Sequence, residues 1–313
     1  MPDLRRLPHP FPASALAAAA LAVVVACSFC AASAASPRVL IVSIDGLRPD
    51  VALRADMPAL RSLMARGSYT MFAATTDTAI TLPSHVSMLT GVPPSKHGIH
   101  FNADPGPGDP TQPAWPTLLQ LAHRAGLTTA MSAGKSKFSE FASPGALDLS
   151  FVPPPGDSAS DSAVTVTAAN WIATRRPQVL FVHLAGTDLV GHAEGWGSPA
   201  QIEAAAAADR GLSRVLSALT SAGLTDSTLV ILSADHGGAG KTHGGKDPRS
   251  HFIPWIAAGP GVRRDFDLTL EPGLQVRTED TFATACAWLG LRITKPVDGR
   301  AVKEIFEAPV GSR

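Results

Sequence analysis

Hydrophobic positions from residue 39 onward follow two alternating patterns. Short apolar runs, many of them rich in β-branched residues, alternate with longer segments of helical periodicity. Several runs are apolar at consecutive positions, which is typical of strands in a parallel sheet that is covered on both faces. The predicted strands are VLIVSI (39–44), TTAMSA (128–133), VLFVHLAG (179–186), LVILSA (229–234) and FIPWIAAG (252–259).

Proline and glycine mark the ends of the helical segments. Proline favours the first turn of a helix, and glycine favours the position after its last turn. This punctuation predicts helices within 57–67, 83–91, 115–126 and 199–223. Strands that alternate with helices in this way predict an α/β fold: a doubly wound, mostly parallel sheet with helices on both faces, in a single domain.

The first 35 residues have the composition of an export signal. Two arginines precede the apolar stretch 13–26, and small residues suited to cleavage follow it. We therefore predict a signal peptide over 1–35 and a folded domain over 36–313, exported to the periplasm or secreted. Alternatively, the sequence VVAC at 24–27 resembles a bacterial lipobox, and lipidation of Cys27 would then tether the protein to a membrane.

Composition limits the partners that the folded domain can have. Hydrophobic residues make up 45% and charged residues 17% of the chain, as in globular proteins. Lys+Arg and Asp+Glu balance at 26 each, so there is no basic surface of the kind that binds nucleic acid. Cys286 is the only cysteine within 36–313, and its apolar neighbours predict an unreactive buried thiol.

Carboxylate and imidazole side chains follow three of the predicted strands. The carboxyl ends of strands in an open α/β sheet meet where ligands bind, so we expect these side chains to lie together. Three carboxylates and three imidazoles without a cysteine favour a site for two divalent cations. An aspartate after a strand is also a common helix cap, which is the alternative for any one of them. The candidates are Asp45, Asp188, His192, Asp235, His236 and His243.

The stretch TLPSH at 81–85 places a hydroxyl residue two positions before a proline that suits a first helical turn. Thr81 would then lie at the positive end of a helix, where backbone N–H groups and the helix dipole favour an anion. A hydroxyl beside a divalent cation can lose its proton near neutral pH and attack phosphorus. Together with the metal site, this position predicts a nucleophile; a helix cap is the alternative.

In this order, these motifs resemble the alkaline phosphatase superfamily, and within it the type I phosphodiesterase/nucleotide pyrophosphatase branch. The resemblance extends from residue 39 to about residue 262 and rests on Asp45, TLPSH, DLVGH (188–192), DHG (235–237) and THG (242–244). It implies that a second residue, Asn102, hydrogen-bonds a phosphoryl oxygen, assisted by helix amides near Thr81. The implied ligands are Asp188, His192 and His243 for one ion, and Asp45, Thr81, Asp235 and His236 for the other.

Departures from the family pattern bear on the substrate. Sulfatases of the superfamily have a formylglycine precursor where Thr81 stands and an arginine where His85 stands, so sulfatase activity is not expected. The phosphodiesterase branch usually has asparagine where this chain has Ser84. It also usually has a long insertion before its last metal histidine, whereas His236 and His243 are seven residues apart here. The insertion that helps to shape a nucleotide pocket is therefore absent.

Two lysines favour a different substrate class. Lys135 and Lys137 resemble the Lys-x-Arg pair with which some threonine-dependent alkaline phosphatases bind a dianionic phosphoryl group. Added cations favour a phosphate monoester, because it carries more negative charge than a diester. The alternative is a solvated loop, since lysine side chains are mostly exposed.

The remaining histidines have supporting or structural interpretations. His251 is the alternative to His243 as the third imidazole of the first ion. His183, inside an apolar run, is interpreted as a buried residue with satisfied hydrogen bonds. Residues that would cap or line the pocket are His85, His97 and His100.

The sequence thus predicts an exported phosphoesterase with two divalent ions, for which zinc is the expected metal. Thr81 would attack a phosphodiester or pyrophosphate, and water would then hydrolyse the phospho-threonine. A phosphomonoesterase that uses Lys135 and Lys137 is the main alternative. A sulfatase-like hydrolase, or a binding protein that has kept the fold without turnover, is a further one.

Overall fold

Eight strands form one sheet in the part of the chain that the structure describes. The computed structural model describes residues 36–104, 112–142 and 145–307. The predicted signal peptide and Cys27 therefore lie outside the described residues. The strands are β1 (Arg38–Ile44), β2 (Ser68–Ala74), β3 (Thr129–Ala133), β4 (Leu149–Phe151), β5 (Val179–Leu184), β6 (Thr228–Ser233), β7 (Phe252–Ala258) and β8 (Phe266–Asp267).

The strand order in the sheet is β4-β3-β5-β1-β6-β7-β2-β8. The five strands from β4 to β6 in this order are parallel to one another, whereas β7 is antiparallel to both β6 and β2. The predicted mostly parallel sheet is confirmed. The apolar run at 252–259 is a strand as predicted, but it runs in the opposite direction to β6, which its pattern of apolar residues does not show.

Helices cover both faces of this sheet. The helix α8 packs with α1, α2, α6 and α7, whereas α10 packs with α3 and α5. The strands β1, β5 and β6 are buried almost throughout, as their consecutive apolar residues predicted. None of the helices in the described ranges combines the length and apolar composition of a membrane span. The helices are α1 (Pro49–Arg54), α2 (Pro58–Ala65), α3 (Thr81–Thr90), α4 (Pro94–His97), α5 (Leu118–Arg124), α6 (Asp161–Thr174), α7 (Gly186–Glu194), α8 (Pro199–Ser221), α9 (Pro248–His251) and α10 (Asp280–Leu289).

Local side-chain contacts shift some boundaries from their predicted positions. A reciprocal capping box between Thr117 and Gln120 starts α5 at Leu118. Burial of Cys286 in α10 raises the pKa of its thiol to about 12, in accord with an unreactive thiol. No strand was predicted at the positions of β2, β4 and β8. The strand β4 has only three residues and β8 has only two.

The end of α3 generates a stability prediction. Gly91 has φ +74°, and a Cβ there would lie 2.6 Å from the ring of buried Phe282. Gly91→Ala should lower the free energy of unfolding by about 2–4 kcal/mol, because left-handed strain adds to overpacking. Urea denaturation followed by circular dichroism measures this change.

The matched control for this change is Gly98→Ala. Gly98 has φ +81°, but a Cβ there would meet nothing within 4 Å. Strain alone should then lower the free energy of unfolding by about 1–2 kcal/mol. Equal losses in the two variants would show that the contact with Phe282 is unimportant.

Candidate active site

Three adjacent strand ends bring the candidate side chains to one edge of the sheet. Asp45 directly follows β1, Asp188 lies in the first turn of α7 after β5, and Asp235 follows β6. The turn after β1 passes so close to α7 that a Cβ at Gly46, where φ is +70°, would lie 3.1 Å from the Cα of Asp188. Any other residue at this position would be strained by both its backbone conformation and this contact.

One oxygen of Asp188 faces three imidazole rings. Asp188 and His192 are one turn apart on α7, and the distance from His192 Nε2 to Asp188 Oδ1 is 3.5 Å. His243 Nε2 lies 3.7 Å and His236 Nε2 lies 3.9 Å from the same oxygen. Residues that are distant in sequence thus converge on a single carboxylate, as their positions after the strands predicted.

Lys135 contacts one oxygen of each of two carboxylates, and we call these the outer oxygens. Lys135 Nζ lies 2.6 Å from Asp45 Oδ2 and 2.6 Å from Asp188 Oδ2. Asp45 Oδ2 also accepts a hydrogen bond of 2.9 Å from His183 Nε2. Lys135 is 8% exposed, so the alternative of a solvated loop is wrong for this residue.

One oxygen of each carboxylate, which we call the inner oxygen, has no hydrogen-bond partner among the described residues. Asp45 Oδ1, Asp188 Oδ1 and Asp235 Oδ2 are all buried without one, while Asp235 Oδ1 accepts the N–H of Gly46 at 3.1 Å. His236 Nε2 lies 3.4 Å from Asp45 Oδ1 and 3.1 Å from Asp235 Oδ2. A buried oxygen without a partner costs about 1–3 kcal/mol, and more when it is charged. These oxygens therefore fit cation ligands.

The backbone sets the tautomer of the three imidazole rings. Each ring directs Nδ1 at a carbonyl oxygen, which can only accept, so Nδ1 carries the proton and Nε2 keeps a lone pair. A carbonyl bond of this kind is usual behind a metal-ligating histidine. The pairs are His192 with Lys241 at 3.0 Å, His236 with Gly237 at 2.8 Å, and His243 with Ala79 at 3.0 Å.

Two groups of described residues could each hold a metal ion. The potential ligand atoms in each group lie within 4.8 Å of one another. The groups are Asp188 with His192 and His243, and Asp45 with Asp188 and His236. The first has the same members as the ligand set that the resemblance implies. The second shares Asp188 with the first, whereas the implied set has Asp235 and Thr81 instead, both close to the ring of His236.

Thr81 is the first residue of α3, and its side chain is buried at the edge of this cluster. Its Oγ1 lies 3.2 Å from His236 Nε2. The residue that caps α3 is Ile80, so the interpretation of Thr81 as a helix cap is wrong. A hydroxyl that is not used for capping is available for chemistry.

Asn102 lies beside Thr81 and is oriented by the backbone. Its Oδ1 accepts the N–H of Leu82 at 2.9 Å and the ammonium of Lys137 at 3.2 Å. The carbonyl end of the amide is therefore occupied, and its NH₂ end is left to donate to an anion. Because the Leu82 N–H is bonded to Asn102, it is not one of the helix amides that can bind a phosphoryl oxygen.

Burial and charge set the protonation of the cluster. Burial by itself would raise the pKa of Asp45, but the charge of Lys135 and the hydrogen bond from His183 hold it well below its usual value. Burial and the charge of Asp45 raise the pKa of Asp235 well above its usual value. Burial lowers the pKa of His236 to about 4, so this ring is neutral at neutral pH. The raised pKa of Asp235 indicates negative charge that a cation would neutralise.

The other histidines differ in their relation to the cluster. His251 is bonded through Nε2 to the carbonyl of Gly245 at 2.7 Å and belongs to neither group, so His243 is the third imidazole that the structure brings in. The ring of His97 bonds to Ser87 and the N–H of Ile99 rather than lining the cluster. His85 contacts the backbone at Thr81: its Nδ1 lies 2.8 Å from the carbonyl oxygen of that residue.

Two further residues contact the cluster in ways that their positions in the sequence do not specify. His183 is buried with satisfied hydrogen bonds, as interpreted, but its partner is Asp45. Trp196 packs edge-on against His192 and His243 and donates Nε1–H to the carbonyl of Gly46 at 2.9 Å. His183 lies in an apolar run and Trp196 follows His192 by four residues, so the sequence gives their positions but only the structure gives their contacts.

Known structures share this fold at low sequence identity. Murine ectonucleotide pyrophosphatase/phosphodiesterase 5, solved as an inactive variant in complex with AMP, superposes with a TM-score of 0.72 at 16% identity over 87% of this chain and 100% of that one. A putative sulfatase from Bacteroides thetaiotaomicron gives 0.71 at 16% over 86% and 74% of the two chains. The phosphonate monoester hydrolase of Agrobacterium radiobacter gives 0.65 at 17% over 88% and 79%.

Sequence comparison identifies the family. An uncharacterized pyrophosphatase/phosphodiesterase of Schizosaccharomyces pombe is 38% identical over 64 residues, which are 20% of this chain but only 13% of that protein. The profile of type I phosphodiesterases and nucleotide pyrophosphatases matches residues 39–243, more than half of the chain and all of the cluster described above. The chain therefore belongs to the type I phosphodiesterase/nucleotide pyrophosphatase family and is a hydrolase that acts on phosphate esters.

Proposed function

We propose that this protein is a two-metal phosphoesterase in which Thr81 takes the phosphoryl group before water releases it. The observation that carries the proposal is the set of three buried carboxylate oxygens without partners, beside three Nε2 lone pairs and the hydroxyl of Thr81. Hard oxygen and borderline nitrogen donors in this number suit two divalent ions, of which zinc is the expected one. One ion would be held by Asp188, His192 and His243, and the other by Asp45, Asp235 and His236 with Thr81.

The proposed reaction has two displacements at phosphorus. Bound ions would supply positive charge that favours the alkoxide form of a neighbouring hydroxyl and offsets charge on a departing oxygen. Thr81 Oγ1 forms a bond to phosphorus, and the bond from phosphorus to the leaving-group oxygen breaks with its electron pair. Water then attacks the phospho-threonine, which restores the hydroxyl and releases the phosphate product. The NH₂ group of Asn102 donates to a non-bridging oxygen in both steps.

Family membership supports a phosphodiester or a pyrophosphate as the substrate. The murine relative was solved with AMP, and the variant that is described as inactive replaces a threonine by alanine. A nucleotide phosphodiester or pyrophosphate as the substrate and a threonine as the nucleophile are therefore the first choices for this chain. The sequence from 1 to 35 further supports export from the cytoplasm, by cleavage of the signal or by lipidation of Cys27.

The lysines support phosphate monoesters as a second candidate. Lys135 contacts two of the site carboxylates, and Lys137 contacts the residue proposed to bind the phosphoryl oxygen. Both cations are therefore close enough to the proposed phosphoryl position to add positive charge there. A dianionic monoester gains more from that charge than a monoanionic diester does.

Replacing the nucleophile tests the covalent step. Thr81→Ala should lower kcat by a factor on the order of 10³ or more, because the group that attacks phosphorus is lost. Thr81→Ser keeps a hydroxyl and should retain activity within about tenfold of the wild type. Steady-state kinetics on an aryl phosphate diester measures both variants, and mass spectrometry after acid quenching should detect phosphate on Thr81. Full activity of Thr81→Ala with metal bound would rule out the covalent step.

Metal analysis tests the ligand sets. The wild-type protein, saturated with zinc and freed of excess, should contain two ions per chain, and a strong chelator should abolish its activity. His243→Ala should reduce the content by one ion, because a ring next to Asp188 is lost. His251→Ala, whose ring lies outside both groups, should retain both ions. Loss of an ion in His251→Ala but not in His243→Ala would reverse this assignment.

A panel of esters separates the two substrate classes. If the diester proposal is correct, kcat/KM is higher for an aryl phosphate diester than for the matching monoester, and Lys135→Ala lowers both by similar factors. The second candidate would be established instead if kcat/KM were higher for the monoester and if Lys135→Ala lowered kcat/KM for the monoester but not for the diester. Lys96→Ala is the control, since Lys96 is an exposed lysine that pairs with Asp298.

A further inference from the structure

His183 is a fully buried histidine whose ring contacts Asp45, one of the proposed metal ligands. It lies near the end of β5, where it pairs with Ser43 of β1 on one side and with Ala133 of β3 on the other. Asp45 is two residues beyond Ser43, so the strand register places its carboxylate beside the ring. The distance from His183 Nε2 to Asp45 Oδ2 is 2.9 Å.

The neighbours of the ring fix its tautomer. A carboxylate oxygen can only accept, so Nε2 must carry the proton that it donates to Asp45. Nδ1 then keeps a lone pair, and the N–H of Gly134 points at it from 3.3 Å. Rotation of the ring by 180° would replace both nitrogens by carbon atoms at these contacts, so a single orientation satisfies both.

Packing holds the ring in this orientation. The ring of Phe138 lies against it, with centroids 4.1 Å apart and an angle of 33°, and the ring of His85 meets it edge-on at 5.0 Å. All three side chains are fully buried. A ring enclosed in this way can hold the carboxylate in one rotamer rather than merely follow it.

The consequence for Asp45 is that its two oxygens have different environments. Oδ2 accepts from both His183 and Lys135, whereas Oδ1 has no partner and faces the ring of His236. We propose that His183 is a positioning residue that directs Asp45 to bind its ion through Oδ1 alone. This inference rests on the proposed two-metal site, because it concerns how one ligand of that site is presented.

Zinc titration of the metal-free protein tests the role of His183. His183→Leu has a similar volume but no donor, and it should weaken one of the two zinc sites about 10- to 100-fold, as losses behind a metal ligand typically do. His183→Gln can place an N–H near the position of Nε2 and should bind both ions within about threefold of the wild type. Isothermal titration calorimetry against a competing chelator measures the two affinities.

His97→Leu is the matched control, because His97 is also a buried histidine but bonds to Ser87 and the N–H of Ile99. It should destabilise the fold while leaving both zinc affinities unchanged.

Wild-type zinc affinity in folded His183→Leu, or equal weakening of zinc binding in His183→Leu and His183→Gln, would overturn the positioning role. If His183→Leu does not fold, two other outcomes would overturn the positioning role. One is wild-type zinc affinity in His183→Phe, and the other is equal weakening of both zinc sites in His183→Gln. Fewer than two zinc ions in the wild type would instead contradict the proposed function, so the two failures are distinguishable.

Discussion

The site depends on placing three carboxylates at neighbouring strand ends, out of contact with water. Asp45, Asp188 and Asp235 are all buried, and the ammonium of Lys135 contacts only the first two. Buried negative charge without a counter-charge is strongly unfavourable. Burial and the charge of Asp45 raise the pKa of Asp235 as a consequence of this excess of negative charge. Further positive charge would stabilise the ionised form of this arrangement, which is why the three carboxylates fit the proposed metal site.

The protein holds each carboxylate from outside, so that its inner oxygen stays free. Lys135, His183 and the N–H of Gly46 occupy the outer oxygens, and the backbone carbonyls occupy the outer nitrogens of the histidine rings. In the proposed two-metal site, this organisation would limit how far these side chains must move to bind an ion. Preorganisation of this kind lowers the free-energy cost of binding and fixes the direction of the ligand lone pairs.

A strained turn joins the proposed nucleophile, Thr81, to His243 of the candidate metal site. Ala79 has φ +46°, which is unfavourable for a residue with a Cβ, and its carbonyl accepts the Nδ1–H of His243 at 3.0 Å. Two residues later the chain enters α3 at Thr81. A change in the position of His243 would therefore be transmitted to the start of α3 through a single backbone carbonyl. Strain at this turn is offset by the contacts that unite the two halves of the site.

The order of motifs along the chain already predicted the fold class, the family and most of the residues that converge in the candidate site. Consecutive apolar residues indicate buried strands, and strands separated by helices can form only a few sheets, so Asp45, Asp188 and Asp235 could be placed together from the sequence. The direction of β7, the choice of His243 over His251 and the start of α3 before Pro83 depend on loop paths that no local pattern specifies. Only the tertiary structure reveals the contact of His183 with Asp45 and those of Trp196 with the histidine rings, because a residue and its local sequence do not specify which distant side chain it will meet.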